Sequence, residues 1–551
     1  MSSKFDHVLP TIGPELLITG LHSGFDQVMS APQVAGGKGV VGEPTPPPAG
    51  KTGVEIKVAL FFDGTMNNRT NTEARIARHD NLLDKDKKNE LSSYANFYSN
   101  VAVLEYMNAR QNPNKHEVSV YVEGIGTVNF SEDDSRSGKV ADADNGNDER
   151  QGYAFGSGFT GIVDRVTKGI LEAKAKIPDA YASQEEYIEK ITIDVVGFSR
   201  GAAAARHFVF RHFQLQGPWL GQGRPELVVN FVGLFETVSS FEQGGKTLGG
   251  VLVNGIKQKI TGIFHNDVAE LNLAMGAVPK RVVHLTAQDE FRANFSLTTI
   301  DSSLRAGVGF EVALPGVHSD IGGGYAEPCP TNPTRELNHE LRHLTGPDEQ
   351  RYLVEQGWYT DGTGGTPYQF VPADQHDYTR HQNHENHRAA VAQANGHAYQ
   401  PRPYTGRMHG ERFLTNEYQY LTLYLMLGLG QQTIGSGNHE KMAFESLGME
   451  DNVRYQVPAD LLPLRNHFAA YVDANAGHTE RLVADCPTWA DTKWLRNKYL
   501  HRSARLFSEG TVIWIAYKRA KHDTRVVISD ADNVVKAHPV EIPDLVTVLV
   551  A

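Results

Sequence analysis

An apolar run, Ile191–Val196 (ITIDVV), leads without a break into Gly197-Phe198-Ser199-Arg200-Gly201, and that frame opens the alanine-rich AAAARHFVFRHF. A junction of this kind leaves few folds open. A short run apolar on both faces reads as a strand buried on both sides, and a helix starting directly after it must pack back across the sheet. That is the repeating unit of a parallel α/β architecture. The G-x-S-x-G frame adds a demand of its own. The strand must turn sharply into the helix, which leaves the serine exposed at the helix's positive end, where a developing oxyanion is favoured. A tight turn with an idle serine would satisfy the five residues alone. The strand before them and the helix after them favour a nucleophile.

Runs of the same character recur at Glu55–Phe62 (EIKVALFF), Glu117–Val122 (EVSVYV), Leu227–Phe235 (LVVNFVGLF), Arg281–Ala287 (RVVHLTA) and Gly309–Leu314 (GFEVAL). Between two of them, Thr160–Lys176 sets Ile162, Val163, Val166, Ile170 and Leu171 on one helical face. The expected fold is α/β: an α/β-hydrolase-like, mainly parallel sheet over residues 54–330, with a loop-rich insertion and a C-terminal accessory region. Residues 1–53 read as a flexible leader, since GGKGVVGEPTPPPAGKTG is dense in Gly and Pro. Residues 331–412 are rich in Pro, Gly, His, Asn and Arg and read as an irregular, His-containing insertion. Helical patterns return in 413–551, with strands expected at Thr511–Tyr517 and Arg525–Ser529. The acidic stretch Asp133–Arg150 reads as a solvated loop.

Composition removes several function classes. Lys+Arg 53 against Asp+Glu 65 gives a formal net charge of -12 over 551 residues, which speaks against a chain-wide nucleic-acid surface. The two cysteines, Cys329 and Cys486, stand far apart and make neither a disulfide framework nor a cysteine-rich zinc site. The N-terminus lacks a basic region followed by a compact apolar run, so Sec export is not expected and a cytoplasmic start is. The densest apolar run, Tyr418–Leu427 (YQYLTLYLML), is about half of what a membrane span needs and reads as a buried helix.

A serine nucleophile needs a base. Of the 23 histidines, His318 follows the strand FEVALPGV and opens His318-Ser319-Asp320-Ile321-Gly322-Gly323-Gly324-Tyr325, a loop past the last core strand. An α/β-hydrolase places its base there, in the order Ser…acid…His. A surface histidine in a glycine-rich turn is the plainer alternative. Two carboxylates end strands between Ser199 and His318: Glu236 after FVGLF and Asp289 after VVHLTAQ. The usual position favours Asp289; a glutamate after the preceding strand is an accepted variant. Asp320, two residues past the histidine, reads as a stabiliser of its loop. Phe61-Phe62-Asp63-Gly64-Thr65-Met66-Asn67-Asn68 is not an aspartyl-phosphate loop, because Phe61 stands where a second aspartate is required. Its Asp63–Thr65 backbone is expected to supply a second oxyanion donor beside the Arg200 N–H, or to be a structural turn. Gly156-Ser157-Gly158-Phe159-Thr160-Gly161 lacks the strand a dinucleotide loop requires. His376, His381, His384 and His387 carry no carboxylate–histidine metal motif and read as a polar surface.

ALFFDGTMNN, VEGIGT (Val122–Thr127), VVGFSRGAAAARHF, VGLFETV (Val232–Val238), QDEFRANF (Gln288–Phe295) and LPGVHSDIGGGY together resemble the α/β-hydrolase family that includes the first class of type VI secretion lipase effectors. The motifs run in the family's order over about residues 54–330. NEYQYLTLYLM (Asn416–Met426) is similar to the helix that follows in those effectors. The resemblance implies a phospholipase of A type, injected by one bacterium into the periplasm of another, without signal peptide, metal or organic cofactor. It implies Ser199 as nucleophile, His318 as base and Glu236 as acid; the family has aspartate where this chain has Glu236, so Asp289 stays as the alternative. It also implies a phospholipid membrane as target, a cognate immunity protein and a spike or tube component as loading partner. The net charge of -12 would repel an anionic bilayer, so docking is expected to rely on an apolar patch, with 413–551 as its expected place. A carboxylesterase on small soluble esters and a non-catalytic binding module are the competing readings.

Overall fold

The alternation along one strand, Thr52–Phe62, shows how the sheet is covered. Ile56, Val58, Leu60 and Phe62 pack on one face with Ile162, Val166 and Ile170 of the helix Ile162–Ala180. Ala59 and Phe61 pack on the other with Val101, Leu104 and Met107 of the helix Asn100–Gln111. Both periods of two are apolar because both faces are buried. Val163 is only half-buried and Leu171 is 44% exposed, so the inward face of that helix is narrower than its apolar residues suggested.

The computed structural model describes residues 41–77, 93–94, 96–111, 116–129, 161–180, 185–216, 223–239, 268–269, 271–292, 295–325, 338–344, 347–360, 375–394, 396, 398–400, 408–435, 437–442, 455–503, 524–531 and 535–539. Within them the strands are β1 (Thr52–Phe62), β2 (Glu117–Val122), β3 (Glu186–Phe198), β4 (Glu226–Phe235), β5 (Arg281–Ala287), β6 (Leu297–Thr298), β7 (Gly309–Leu314), β8 (Asn338–Leu344), β9 (Met408–Leu414), β10 (Leu482–Val483), β11 (Thr524–Ile528) and β12 (Val535–Pro539). Seven make the main sheet in the order β10-β7-β5-β4-β3-β1-β2, and every neighbouring pair is parallel. The chain steps from β1 outward to β2, then crosses back to β3 on the other side. The order therefore reverses between β1 and β3, and clefts in open parallel sheets form at the carboxyl ends of such strands. Asp63 and Ser199 stand there, directly after β1 and β3.

The insertion is more regular than its composition suggested. β8 and β9 pair antiparallel from Asn338↔Leu414 to Leu344↔Met408, and between them run the helices Pro347–Glu355 and Gln375–Ala394. The second of these reads QHDYTRHQNHENHRAAVAQA, so no apolar stripe marks it as a helix. The helix Gln419–Gly430 is buried nearly all round, with Leu421, Leu423, Leu425 and Met426 in the same core as β5 and β7. β10 extends the main sheet beside β7, and β11 pairs parallel with β6 and antiparallel with β12. Residues beyond 413 thus share the core of the main sheet, and Gly42–Ala551 groups as one unit. Among the described residues no helix is long and apolar enough to cross a membrane. Met1–Val40, Asp133–Arg150, Gly156–Thr160 and Thr511–Tyr517 lie outside the described residues.

Candidate active site

Ser199 follows the last residue of β3 and caps the helix Arg200–Arg211 at φ 58°, ψ -127°. A non-glycine residue is held there only when its surroundings over-determine it. Its N–H donates to Phe235 O at 3.0 Å, and its carbonyl accepts from Val238 N at 3.2 Å and Ala202 N at 3.0 Å. The ends of β3 and β4 and the first helical turn fix the elbow between them. Glu236, the residue after β4, has φ 49°, and Met66 in the loop after β1 has φ 62°. Backbone strain thus gathers at the carboxyl ends of three adjacent strands, as it does at reactive sites.

His318 opens the five-residue turn His318–Gly322 just past β7 and is 3% exposed. Its Nδ1 lies 3.2 Å from Glu236 Oε2. An ionised carboxylate only accepts, so Nδ1 carries the proton and Nε2 is left as the basic nitrogen. Burial lowers the imidazole's pKa, and Glu236 only partly offsets this. Glu236 is itself fully buried. Burial would raise its pKa, but the Arg525 guanidinium and His318 outweigh that and hold the carboxyl well below the usual range. Arg525 grips it in a fork, Nη1 to Oε1 at 2.9 Å and Nη2 to Oε2 at 2.6 Å, while Ala287 N–H donates to Oε1 at 2.5 Å.

Asp289 is drawn elsewhere. Its Oδ2 accepts from Gly316 N at 2.9 Å, and its Oδ1 pairs with Arg496 Nη2 at 2.8 Å. Through Gly316 it braces the loop that carries His318, and it makes no hydrogen bond to the imidazole. Asp320 caps the His318 turn through Val317 N at 3.0 Å and holds His501 Nδ1 at 2.7 Å, a loop-stabilising placement. Of the two strand-end carboxylates, the fold brings Glu236 to His318.

Phe198 ties the parts together. Its ring lies 4.7 Å from the His318 ring, and Phe295 meets that imidazole edge-on at 5.0 Å. A Cβ on Gly64 or on Gly322 would run into the Phe198 ring, so the loop after β1 and the His318 turn both close on the residue before the nucleophile. Among the described residues Ser199 Oγ makes no hydrogen bond to His318. Contacts of this kind often tighten only when substrate is bound.

In the loop after β1, Asp63 bonds its own loop, as the structural-turn reading of these residues expects. Asp63 is buried and spends its carboxylate on Gly64 N at 2.7 Å, Ser99 Oγ at 2.5 Å and Tyr121 OH at 2.6 Å. The Asp63 and Met66 N–H groups donate to Val122 O and Ile125 O. Within Asp63–Thr65, the Thr65 N–H is the one with no hydrogen-bond partner among the described residues. The Thr65 hydroxyl accepts from Arg200 Nε at 2.8 Å. Burial pushes the Arg200 guanidinium down to about 9, and it remains charged at pH 7.

Arg525 carries no sequence motif that would have selected it; Glu290 and Arg292 lie in QDEFRANF, but nothing in that run assigned them a role. Glu290 accepts the His318 N–H at 3.2 Å and pairs with Arg292 at 2.8 Å. The side chains of His376, His381 and His384 lie outside the described residues, His387 is exposed, and no described group of His, Cys, Asp or Glu could hold a metal ion.

Residues 220–345 match the family described as type VI secretion system, phospholipase effector Tle1-like, catalytic domain. That segment carries Glu236, Asp289 and His318, with Ser199 ahead of it. The family is the one the sequence motifs resemble. No curated protein matches the chain. Among solved structures, the chain is similar to that of the Tle1 effector bound to the VgrG spike from the type 6 secretion system. The identity is 21%, the TM-score 0.50, and the match covers 89% of each chain, which bears out the α/β-hydrolase-like fold. A crystal structure of an uncharacterized protein from Pseudomonas aeruginosa matches at 15% identity and TM-score 0.35, over 96% of this chain and 84% of that one.

Proposed function

We infer that this chain is an antibacterial phospholipase effector of type VI secretion, and that it cleaves acyl esters by serine chemistry. The observation that carries the reading is the His318–Glu236 pair, whose imidazole lies against Phe198, the residue before the strained Ser199 elbow. Ser199 Oγ attacks the ester carbonyl carbon and gives its proton to His318 Nε2. The oxyanion is received by the Arg200 and Thr65 N–H groups, the kind of contribution usually largest in acyl transfer. The C–O bond breaks, the departing lysophospholipid oxygen takes the proton from His318, and an acyl-serine remains. Water then gives its proton to His318, attacks the acyl carbon, and the fatty acid leaves as Ser199 is reprotonated.

The likeness to a Tle1 effector solved on its VgrG spike supports a spike protein as the delivery partner. Action on lipid in the periplasm of a target cell, and an immunity protein in the producer, follow from the same reading. Val483, Trp489 and Trp494 are 54%, 45% and 37% exposed, and with Lys493 and Lys498 beside the two rings they support docking of this C-terminal segment on a bilayer.

Mass spectrometry of products from mixed-chain phospholipid vesicles tests the reading, with Ser199→Ala alongside. The expected result is fatty acid plus one lysolipid isomer from the wild type alone. Ser199-dependent turnover of a short soluble ester without release from vesicles would replace the phospholipase with a carboxylesterase. Silence on both substrates would overturn the enzyme and leave a binding module.

A further inference from the structure

Arg525 lies on β11, 289 residues beyond Glu236, yet it makes the most complete set of contacts that the Glu236 carboxylate receives. Its Nε–H donates to Phe295 O at 2.9 Å, and Nη1 also reaches Ala287 O at 3.4 Å. These two carbonyls set the plane of the guanidinium before it meets the carboxylate. β11 is registered against β6 by Val527↔Leu297 and Ile528↔Thr298, and Phe295, two residues ahead of β6, also touches the His318 ring. The same short segment therefore positions both the guanidinium and the imidazole.

A glutamate at the end of β4 has one more rotatable bond than an aspartate would, and its carboxylate must be fixed by something other than its own stem. A planar fork fits that need better than a point charge, because it fixes both oxygens and their plane at once. The carboxylate oxygen nearer His318, Oε2, is the one that takes Nη2 at 2.6 Å. The positive charge also tempers the pull that a buried, otherwise uncompensated carboxylate would exert on a proton at His318.

We propose that Arg525 is a positioning residue for the acyl-transfer site, fixing Glu236 so that Oε2 faces His318 Nδ1 and limiting how strongly it draws a proton onto the imidazole. The proposal rests on the serine reading above. It makes the C-terminal strand part of the reactive site, since the site is incomplete until β11 is in register with β6.

The test is the rate at which a fluorophosphonate probe labels Ser199 as a function of pH, followed by intact-protein mass, in the full chain. This readout needs no knowledge of the natural ester. Arg525→Met removes the charge. It is expected to slow labelling at pH 7 by roughly 10- to 100-fold and to move the acid limb upward by about one pH unit, because His318 then holds its proton more tightly. Arg525→Lys keeps a charge without the fork. Its acid limb is expected to stay near that of the wild type while labelling still slows. Circular dichroism and thermal melting report whether each variant is folded; if Arg525→Met does not fold, the lysine variant carries the decision. An acid limb unmoved in a folded Arg525→Met protein, or wild-type labelling in Arg525→Lys, overturns the proposal. A wild-type protein labelled at a residue other than Ser199, or labelled equally after Ser199→Ala, instead overturns the serine reading on which it rests.

Discussion

The rings of Phe198 and His318 lie 4.7 Å apart and are tilted by 34° to each other, so the residue before the nucleophile sets the pose of the base. Phe198 is 1% exposed, and the Gly64 loop and the Gly322 turn both close on its ring. Phe198→Leu keeps most of the volume and removes the flat surface. It is expected to cost about 1–2 kcal/mol of stability. Loss of alignment between Ser199 and His318 is expected to lower kcat roughly tenfold with little change in KM. A variant with wild-type kcat would show that the ring contact is packing alone.

The pH dependence of turnover follows from the direction of two pKa shifts. Burial lowers His318 below its ordinary 6.5, so the imidazole is neutral and able to accept a proton down to more acidic pH. Glu236 is held ionised well below that, chiefly by Arg525 against its burial, so it does not titrate in the same window. The expected profile of kcat/KM is flat between pH 7 and 8, with one acid limb whose midpoint lies below 6.5. A midpoint above 7 in a stable protein would contradict the assignment of His318 as the buried base.

Glu236 and Asp289 separate cleanly by mutation. Glu236→Gln keeps the shape but lets Nδ1 lose its charged acceptor, and it leaves Arg525 facing a neutral group. A drop in kcat on the order of 10³-fold is expected, with the enzyme still able to bind substrate. Asp289→Asn loosens Gly316 and Arg496 without touching the imidazole's partner. Its kcat is expected to fall by less than about tenfold, with a lower Tm. The reverse ranking of the two variants would return the acid to Asp289.

Much of this site could be read along the chain because strand ends carry it. Glu117–Val122, Arg281–Ala287 and Gly309–Leu314 are strands with the limits their apolar runs suggest, and Ser199, Glu236 and His318 each lie just past such a strand. Choosing between Glu236 and Asp289 required the third dimension. Both follow strands of the same sheet, and only the path of the loop past β7 decides which carboxylate faces the imidazole. Arg525 was hidden for a different reason: a single arginine in an ordinary β-branched run carries no mark of its partner 289 residues away. The helix Gln375–Ala394 was hidden because it has no apolar face, and β10 because two residues give no period at all.

Buried histidines set the acid side of stability. His207 is 7% exposed, its Nδ1 lies 2.7 Å from Leu271 O, and burial pushes its pKa down from 6.5 to about 4. Its folded pKa lies below its unfolded one, so below pH 6.5 the unfolded chain binds the proton first and stability falls as pH drops toward 4. The full difference corresponds to roughly 3 kcal/mol. His212, His318 and His439 are shifted in the same direction by burial and add to the effect. The Tm is therefore expected to fall between pH 7 and pH 5, and His207→Gln is expected to shallow that slope. A Tm that is level or rising toward pH 5 would count against these histidines being neutral in the fold.

The last prediction concerns how an acidic protein reaches a bilayer. Trp489 and Trp494 are exposed on the helix Trp489–Lys498, with Lys493 Nζ 5.6 Å from the first ring centroid and Lys498 Nζ 5.8 Å from the second. Aromatic rings flanked by lysines suit the boundary between headgroups and acyl chains. Arg496 of the same helix pairs with Asp289, which holds Gly316 two residues before His318, so the exposed rings are mechanically joined to the reactive loop. Replacing both tryptophans by serine is expected to lower release of fatty acid from anionic vesicles by at least roughly tenfold. Turnover of a short soluble ester, which needs no docking, is expected to stay within about twofold. Equal loss on both substrates would mean that the helix supports the Asp289 loop and does not meet the membrane.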